Sequence, residues 1–153
     1  MPTPLVREAT LQDIPLLLQF EQGVITAERP FDSTLKEDPI EYYDLPLLIS
    51  SPDSHLLVVE LGGKPVASGY ARIEVSQSYN RHTHHAYLGF MYTEPEHRGK
   101  GFNQLILQAL THWSRARGIT ELRLEVYQDN QSAIRSYEKA GFSKHMIKMR
   151  MGI

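Results

Sequence analysis

The chain has 153 residues, 41% of them hydrophobic and 22% charged, the balance of one globular domain with enough apolar mass for a real core. Lys and Arg number 16 against 18 Asp and Glu, a formal net charge of -2, which excludes a global attraction for nucleic acid and makes any anion site local. Cysteine is absent, which excludes disulfides, thiolate metal sites and a cysteine nucleophile.

The opening Met-Pro-Thr-Pro-Leu-Val-Arg-Glu has no basic n-region and no apolar h-region. No apolar run approaches membrane-spanning length, so a soluble cytoplasmic protein with no membrane partner is expected. Leu5 to Glu8 predicts a short strand, after which Thr10 or Asp13 caps a helix carrying Leu11, Ile14, Leu17, Leu18, Val24 and Ile25 at helical spacing. Pro15 falls in its first turn, where proline is tolerated. The pattern fails from Thr26 to Glu37. Asp38-Pro39 then offers an N-cap with proline at the first helical position, for a second helical piece running to about Leu45 and broken at Pro46, with Leu47 to Ser50 as a further turn. His55 to Glu60 reads as a buried strand, Gly62-Gly63 as a hairpin turn, and Pro65 to about Ser76 as a long strand in which Gly69 marks a bulge or a close backbone neighbour. Ala86 to Thr93, apolar and aromatic, fits a central strand covered on both faces. Phe102, Leu105, Ile106, Ala109, Leu110 and Trp113 define the clearest helix, closed by Gly118. Leu122, Leu124 and Val126 alternate with charged residues in a strand. A last helix from Asp129 or Asn130 carries Ala133, Ile134, Tyr137 and Ala140 and stops at Gly141, before a final strand from Phe142 towards Met149. This order predicts a single mixed α/β domain over 1–153, with antiparallel hairpins first and a crossover later.

Between the central strand and the clearest helix stands Arg98-Gly99-Lys100-Gly101-Phe102-Asn103. Glycines let backbone approach a ligand closely, and the first N–H groups of a helix are unpaired and carry the positive end of its dipole, so this junction can hold a phosphate. An ordinary strand-to-helix turn with solvated Arg and Lys is the competing reading. The P-loop spacing is not met, and a dinucleotide fingerprint would place a third glycine where Gln104 stands.

Glu94-Pro95-Glu96-His97-Arg98-Gly99-Lys100-Gly101 resembles the acyl-coenzyme A loop of the GNAT superfamily of N-acetyltransferases, Gln/Arg-x-x-Gly-x-Gly/Ala after a strand. Downstream, Asn130 to Phe142 resembles the same family's Asn-x-x-Ala-x-x-x-Tyr-x-x-x-Gly-Phe element. Together the two motifs cover about the C-terminal half. Asn103 departs from the pattern, standing where the family usually has Gly or Ala. The resemblance implies a central, mixed, largely antiparallel sheet of six to seven strands flanked by about four helices, with a splayed strand pair that binds acyl-CoA. It implies acetyl-CoA as co-substrate and acetyl transfer to a primary amine, a small molecule or a peptide, by direct attack in a ternary complex. The alternative is a catalytically silent acyl-CoA-binding or sensing domain.

Carried onto this sequence, the family's features make Arg98, Gly99, Lys100, Gly101, Phe102 and Asn103 the pyrophosphate wrap. Met91, Tyr92 and Thr93 become the strand edge that pairs with pantetheine amides, and Asn130 and Tyr137 further cofactor contacts on one face of the last helix. Tyr137 matches the family's general acid. A phenol of pKa about 10 keeps its proton at neutral pH and can give it to a departing thiolate. A main-chain N–H near Met91 or Tyr92 is placed to steady the oxyanion. The base is open, with His85 slightly ahead of Tyr87, Glu74 and a water chain. Residues 28 to 44, which in this family usually cover the acceptor, hold Glu28, Asp32, Glu37, Asp38, Glu41 and Asp44 against Arg29 and Lys36, an acidic excess that would attract a cationic acceptor. Glu28, Phe31, Tyr43 and Glu74 are the substrate-binding candidates, although Phe31, Tyr42 and Tyr43 could equally line an aromatic pocket. His82, His84 and His85 lack ligand-spaced partners, so no metal is expected; Lys139 is the cation to test against the 3′-phosphate. Nothing sets the oligomeric state, though the hairpin strands or the C-terminal strand offer edges for a homodimer.

Overall fold

The computed structural model describes residues 2–153. Its sheet has five strands in the order β1-β2-β3-β4-β5: β1 (Leu5–Glu8), β2 (Ser54–Leu61), β3 (Lys64–Val75), β4 (His84–Thr93) and β5 (Leu122–Arg123). The first three pairings are antiparallel and β4 pairs with β5 in parallel. Four α-helices flank it: α1 (Ile14–Glu28), α2 (Leu45–Ser50), α3 (Phe102–Ala116) and α4 (Gln131–Ala140).

Strand alternation divides the core into two layers, one on each face of the sheet. On one face Leu57, Val59, Ala67, Ala71, Ala86 and Leu88 meet Phe102, Ile106, Leu107 and Leu110 of α3. On the other, Leu56, Val58, Tyr70 and Phe90 meet Leu17, Phe20 and Val24 of α1 and Leu45 and Leu48 of α2. β1 is tied to the start of α1 by Arg7, whose guanidinium donates to both Asp13 carboxylate oxygens at 2.8 and 3.0 Å, while Asp13 also accepts the Thr10 N–H at 2.8 Å. Gly62 and Gly63, at φ 60° and 84°, make the left-handed two-residue turn from β2 to β3.

Three expectations are corrected. The sheet has five strands, not six to seven. Residues 142–153 form no strand, and Met146, Ile147, Met149 and Met151 are 77–87% exposed. Apolar residues in an extended stretch identify a face but do not supply a neighbouring strand, and β5 pairs over only two residues. The piece from Asp38 to Leu45 is loop: Asp38 pairs with Arg29 at 2.8 Å instead of capping a helix. The helix starts at Leu45 with Asp44 as N-cap, its carboxylate accepting the Leu47 N–H at 3.1 Å. Pro46 therefore lies in the first turn, where its missing N–H has no intrahelical partner to lose.

Candidate active site

β4 ends where the Glu94 N–H donates to Val66 O at 2.9 Å, and a single 3₁₀ turn, Pro95–His97, leads into the glycine loop. Gly99 and Gly101 adopt φ 76° and 83°, and a Cβ at either would meet nothing within 4 Å. Glycine is needed there for its left-handed backbone, not for room. The first main-chain bond of the following helix is Leu105 N–H to Gly101 O, 3.1 Å. Among the described residues, none of the N–H groups of residues 99–104 donates to another backbone group. Six consecutive donors at the positive end of a 15-residue helix are an arrangement that can receive an anion.

The strand leading into that loop is bent by a bulge. Ser68 pairs with Tyr92 and Tyr70 with Gly89, so β4 carries one extra residue against β3. The extra residue is Phe90, at φ 54°, in the left-handed region that a bulky side chain rarely enters. Ser68 Oγ donates to Phe90 O at 2.9 Å and holds the distortion in place. Two glycines make room for it. A Cβ at Gly89 would overlap the Tyr70 hydroxyl at 2.5 Å, and one at Gly69 would strike Met91 and Ile106. The bulge breaks the strand's alternation: Ala86 and Leu88 face α3, whereas Phe90 and Tyr92 beyond it turn towards α1.

Immediately beside the bulge the sheet opens. β4 and β5 are paired only at Ala86–Leu122 and Tyr87–Arg123, so the β4 edge from Leu88 to Thr93 faces away from any strand partner on that side. α4 follows β5 and is held to the start of α3. Asn130 caps it by accepting the Ala133 N–H at 3.3 Å, leaving its amide NH₂ outside the cap bond. Tyr137 lies on the same helix, its ring edge-on to Phe142 at 6.0 Å. Burial chiefly, and then the charge of Glu28, push the Tyr137 phenol up to about 12. Asn103, the departure from the family motif, donates from Nδ2 to Ser136 Oγ at 2.8 Å, and Gln104 Nε2 donates to Ser136 O at 3.1 Å. The first turn of α3 is thereby bolted to the turn of α4 that carries Tyr137.

The opposite wall comes from α1 and the loop after it. Glu21, 1% exposed, accepts the Tyr42 and Tyr43 N–H groups on Oε2 at 3.0 and 2.8 Å, and Gln22 Nε2 donates to Ile40 O at 3.2 Å. Tyr43, fixed this way, stacks on Phe90 of the bulge with centroids 4.4 Å apart. Phe31 stacks on Tyr127 at 6.1 Å, and the Tyr127 hydroxyl donates to Asp32 Oδ2 at 2.9 Å. Asp32 Oδ1 accepts from Thr34 and from Arg150 Nη2, the latter at 2.8 Å. Glu28 is half-buried at the end of α1, where burial chiefly raises its carboxyl above the ordinary range, the Tyr42 phenol opposes this and Asp32 adds to it.

A bulged strand, a cleft opening beside it and a glycine loop of free N–H groups agree with comparison to known proteins. Residues 22–142 match the Acetyltransferase (GNAT) family. The chain belongs to the GNAT family. It is 31% identical over 120 residues to the protein named "Uncharacterized N-acetyltransferase YycN" of Bacillus subtilis, covering 78% of this chain and 75% of that one. In fold it is similar to a tetramutant of the BH1408 protein from Bacillus halodurans, with a TM-score of 0.86, 20% identity, and coverage of 97% and 99% of the two chains. It is also similar to a Clostridium acetobutylicum protein described as a predicted acetyltransferase with acetyl-CoA, with a TM-score of 0.74, 20% identity, and coverage of 98% and 96%.

Within this GNAT domain the residues singled out from sequence fall into two groups. Met91 to Thr93 lie on the unpaired edge of β4 and Arg98 to Asn103 follow it, Asn130 and Tyr137 lie on the helix that Asn103 and Gln104 hold, and Tyr43 stacks on Phe90 and Phe31 on Tyr127. Glu74 and His85 meet each other elsewhere, as cross-strand partners with Nε2 and Oε1 3.6 Å apart. His85 is buried, its Nδ1 2.8 Å from Ser76 Oγ, and burial chiefly pulls its pKa down. His82 bridges the same Ser76 hydroxyl at 3.0 Å and Glu121 at 3.2 Å. His85 stands five residues from Phe90 along β4, about 16 Å at the rise of an extended strand. Sequence reading missed Phe90, Tyr127 and Ser136. Tyr127 carried one legible signal: an aromatic residue just after the point where the alternating β5 pattern ends.

Proposed function

We propose that this protein transfers an acetyl group from acetyl-CoA to a primary amine by direct attack within a ternary complex. The observation that carries the reading is the run of unpaired N–H groups at 99–104, opening onto the free edge of β4 beside the Phe90 bulge. In this reading the glycine loop and the first turn of α3 receive the pyrophosphate, and the Met91-Tyr92-Thr93 edge pairs with pantetheine amides as a further strand would. The thioester carbonyl then lies at the bulge. The amine nitrogen attacks that carbon, a C–N bond forms, and a main-chain N–H of Met91 or Tyr92 steadies the tetrahedral oxyanion. The C–S bond breaks as Tyr137 gives its proton to the departing sulfur, and the proton lost from the attacking nitrogen restores the phenol. No cysteine is available to carry an acyl group between donor and acceptor, which supports direct transfer.

The test is release of free CoA from acetyl-CoA over a panel of amines, measured beside acetyl-CoA binding by calorimetry. Amine-dependent release is expected. Binding that raises the melting temperature without amine-dependent release would instead identify a silent acyl-CoA-binding domain.

A further inference from the structure

We propose that Glu121, His82, Ser76, His85 and Glu74 form one directional chain of hydrogen bonds, a pH-dependent clasp that holds β5 to the β3–β4 hairpin. Their contacts run in line. Glu121 Oε1 lies 3.2 Å from His82 Nε2, His82 Nδ1 3.0 Å from Ser76 Oγ, Ser76 Oγ 2.8 Å from His85 Nδ1, and His85 Nε2 3.6 Å from Glu74 Oε1. The array thus joins the end of β3, the turn that follows it, the start of β4 and the residue that precedes β5.

Proton number sets the direction of the chain. An ionised carboxylate only accepts, a hydroxyl donates once, and a neutral imidazole donates from one nitrogen and accepts at the other. The four contacts need four protons, whereas one serine and two neutral histidines bring three. One contact is therefore left without a proton, and it sets lone pairs against each other, so it must be the longest. That contact is His85 to Glu74, at 3.6 Å beyond hydrogen-bond length. The direction follows. His85 Nδ1–H donates to Ser76 Oγ, the Ser76 hydroxyl donates to His82 Nδ1, and His82 Nε2–H donates to Glu121.

The surroundings fit this polarity. Glu74 already has donors, because its Oε2 accepts from Arg72 Nε and Nη2 at 2.9 and 2.6 Å. Glu121 Oε2 accepts from Arg123 Nε, and Arg123 Nη2 reaches Asn80 Oδ1 in the turn at 3.1 Å. The clasp has weight in the fold because β5 pairs with β4 over only two residues, next to the Ala86 N–H that donates to Glu121 O at 3.0 Å.

Acid loosens the clasp. The charged and titratable groups around the His85 ring are Glu74, itself paired with Arg72, from β3, His82 from the turn, and Glu121 and Arg123 from the β5 side. Burial chiefly lowers the His85 pKa; Arg123 and His82 act in the same direction, and Glu74 and Glu121 oppose them. A histidine lowered on folding stays neutral in the native protein at a pH where the unfolded chain already carries the charge. Its contribution is complete above the unfolded value of about 6.5 and is lost as pH falls through the lower folded value. A further proton on His82 Nδ1 displaces the Ser76 hydroxyl from that nitrogen and breaks the chain in its middle.

The experiment reads the ring nitrogens of the whole protein by long-range proton–nitrogen correlation spectra at about pH 8, where both histidines are neutral. In the wild type His85 is expected to carry its proton on Nδ1 and His82 on Nε2. In Glu121→Gln the amide oxygen stays with Arg123 and the NH₂ donates to His82 Nε2, so the chain reverses and His85 changes to the Nε2–H form, facing Glu74. In Glu74→Gln the new NH₂ donates to the open His85 Nε2, and the wild-type direction is expected to persist. Hydrogen exchange at the Ala86 N–H, taken relative to N–H groups of the β2–β3 ladder, reads the clasp itself. Ser76→Ala is expected to lose about fivefold or more of that protection at about pH 8, with the difference from wild type narrowing as pH is lowered to about 5. His85 protonated on Nε2 in the wild type overturns the proposal, and this result stands even if a variant fails to fold. The same His85 tautomer in Glu121→Gln as in the wild type, equal Ala86 protection in Ser76→Ala and wild type at about pH 8, or a protection difference that does not change with pH also overturns it.

Discussion

At the scale of single residues, Tyr137 and Glu21 show how burial converts an ordinary side chain into a fixed device. The Tyr137 phenol is pushed up to about 12, chiefly by burial and then by Glu28. It therefore keeps its proton throughout the range in which the protein can be assayed, and kcat should show no alkaline limb from this group below about pH 11. Tyr137→Phe is expected to lower kcat by about a hundredfold while leaving acetyl-CoA Kd within a few-fold, by steady-state kinetics and calorimetry. Equal kcat in the two proteins would remove the phenol from the reaction. Glu21 acts on structure instead. Its carboxylate holds the Tyr42 and Tyr43 N–H groups, so Glu21→Ala leaves two loop donors unmatched and should cost about 1–3 kcal/mol in urea denaturation.

At the scale of elements, the bulge in β4 and the bolt between α3 and α4 shape the open edge of the sheet and the start of α3. Gly69 and Gly89 face the bulge from neighbouring positions, and each is crowded enough that a methyl group must displace a side chain. Gly89→Ala should cost about 1–3 kcal/mol and reduce kcat as well, because the Tyr70 ring must move against Tyr43 and the bulge. A variant with unchanged stability and turnover would show that the bulge tolerates reshaping. The Asn103–Ser136 bond gives a physical account of the motif's exception: the position uses its side chain to hold α4 instead of leaving the helix start bare. Asn103→Ala should lower stability by about 1 kcal/mol and raise KM for acetyl-CoA a few-fold. An unchanged KM would separate the bolt from donor binding.

At the scale of the whole molecule, the C-terminal segment is held to the far wall by a few polar contacts, not by a strand ladder. Arg150 reaches Asp32 and Thr34, more than a hundred residues away in sequence, while the apolar side chains between Met146 and Met151 remain exposed. The Thr34 hydroxyl chiefly, and Arg150 next, hold Asp32 well below the usual carboxylate range. A depressed carboxyl contributes above its unfolded pKa of about 3.9 and loses that contribution only as pH falls through its lower folded value, so the clasp should persist from pH 5 upwards. Arg150→Ala should speed tryptic cleavage at Lys144 and Lys148 while leaving the circular dichroism spectrum unchanged. Equal cleavage rates would show that this contact does not restrain the segment.

Patterns that repeat along the chain were readable directly, because local geometry makes them repeat. The period of α3, the Asn130 cap and the Gly62-Gly63 turn recur in the structure, and the paired motifs at 94–101 and 130–142 led to the GNAT family. Glycine at 99 and 101 was legible too, since only its backbone freedom suits that turn. The number of strands was not legible, because an apolar stretch such as 146–151 becomes a strand only if another strand lies beside it. Nor were the roles of neighbouring acids. Asp32, Asp38 and Glu21 look alike in sequence, and only folding decides which meet a cation and which meet main-chain donors. Charge composition can be counted along a chain, but which charges find partners depends on contacts between residues far apart in it.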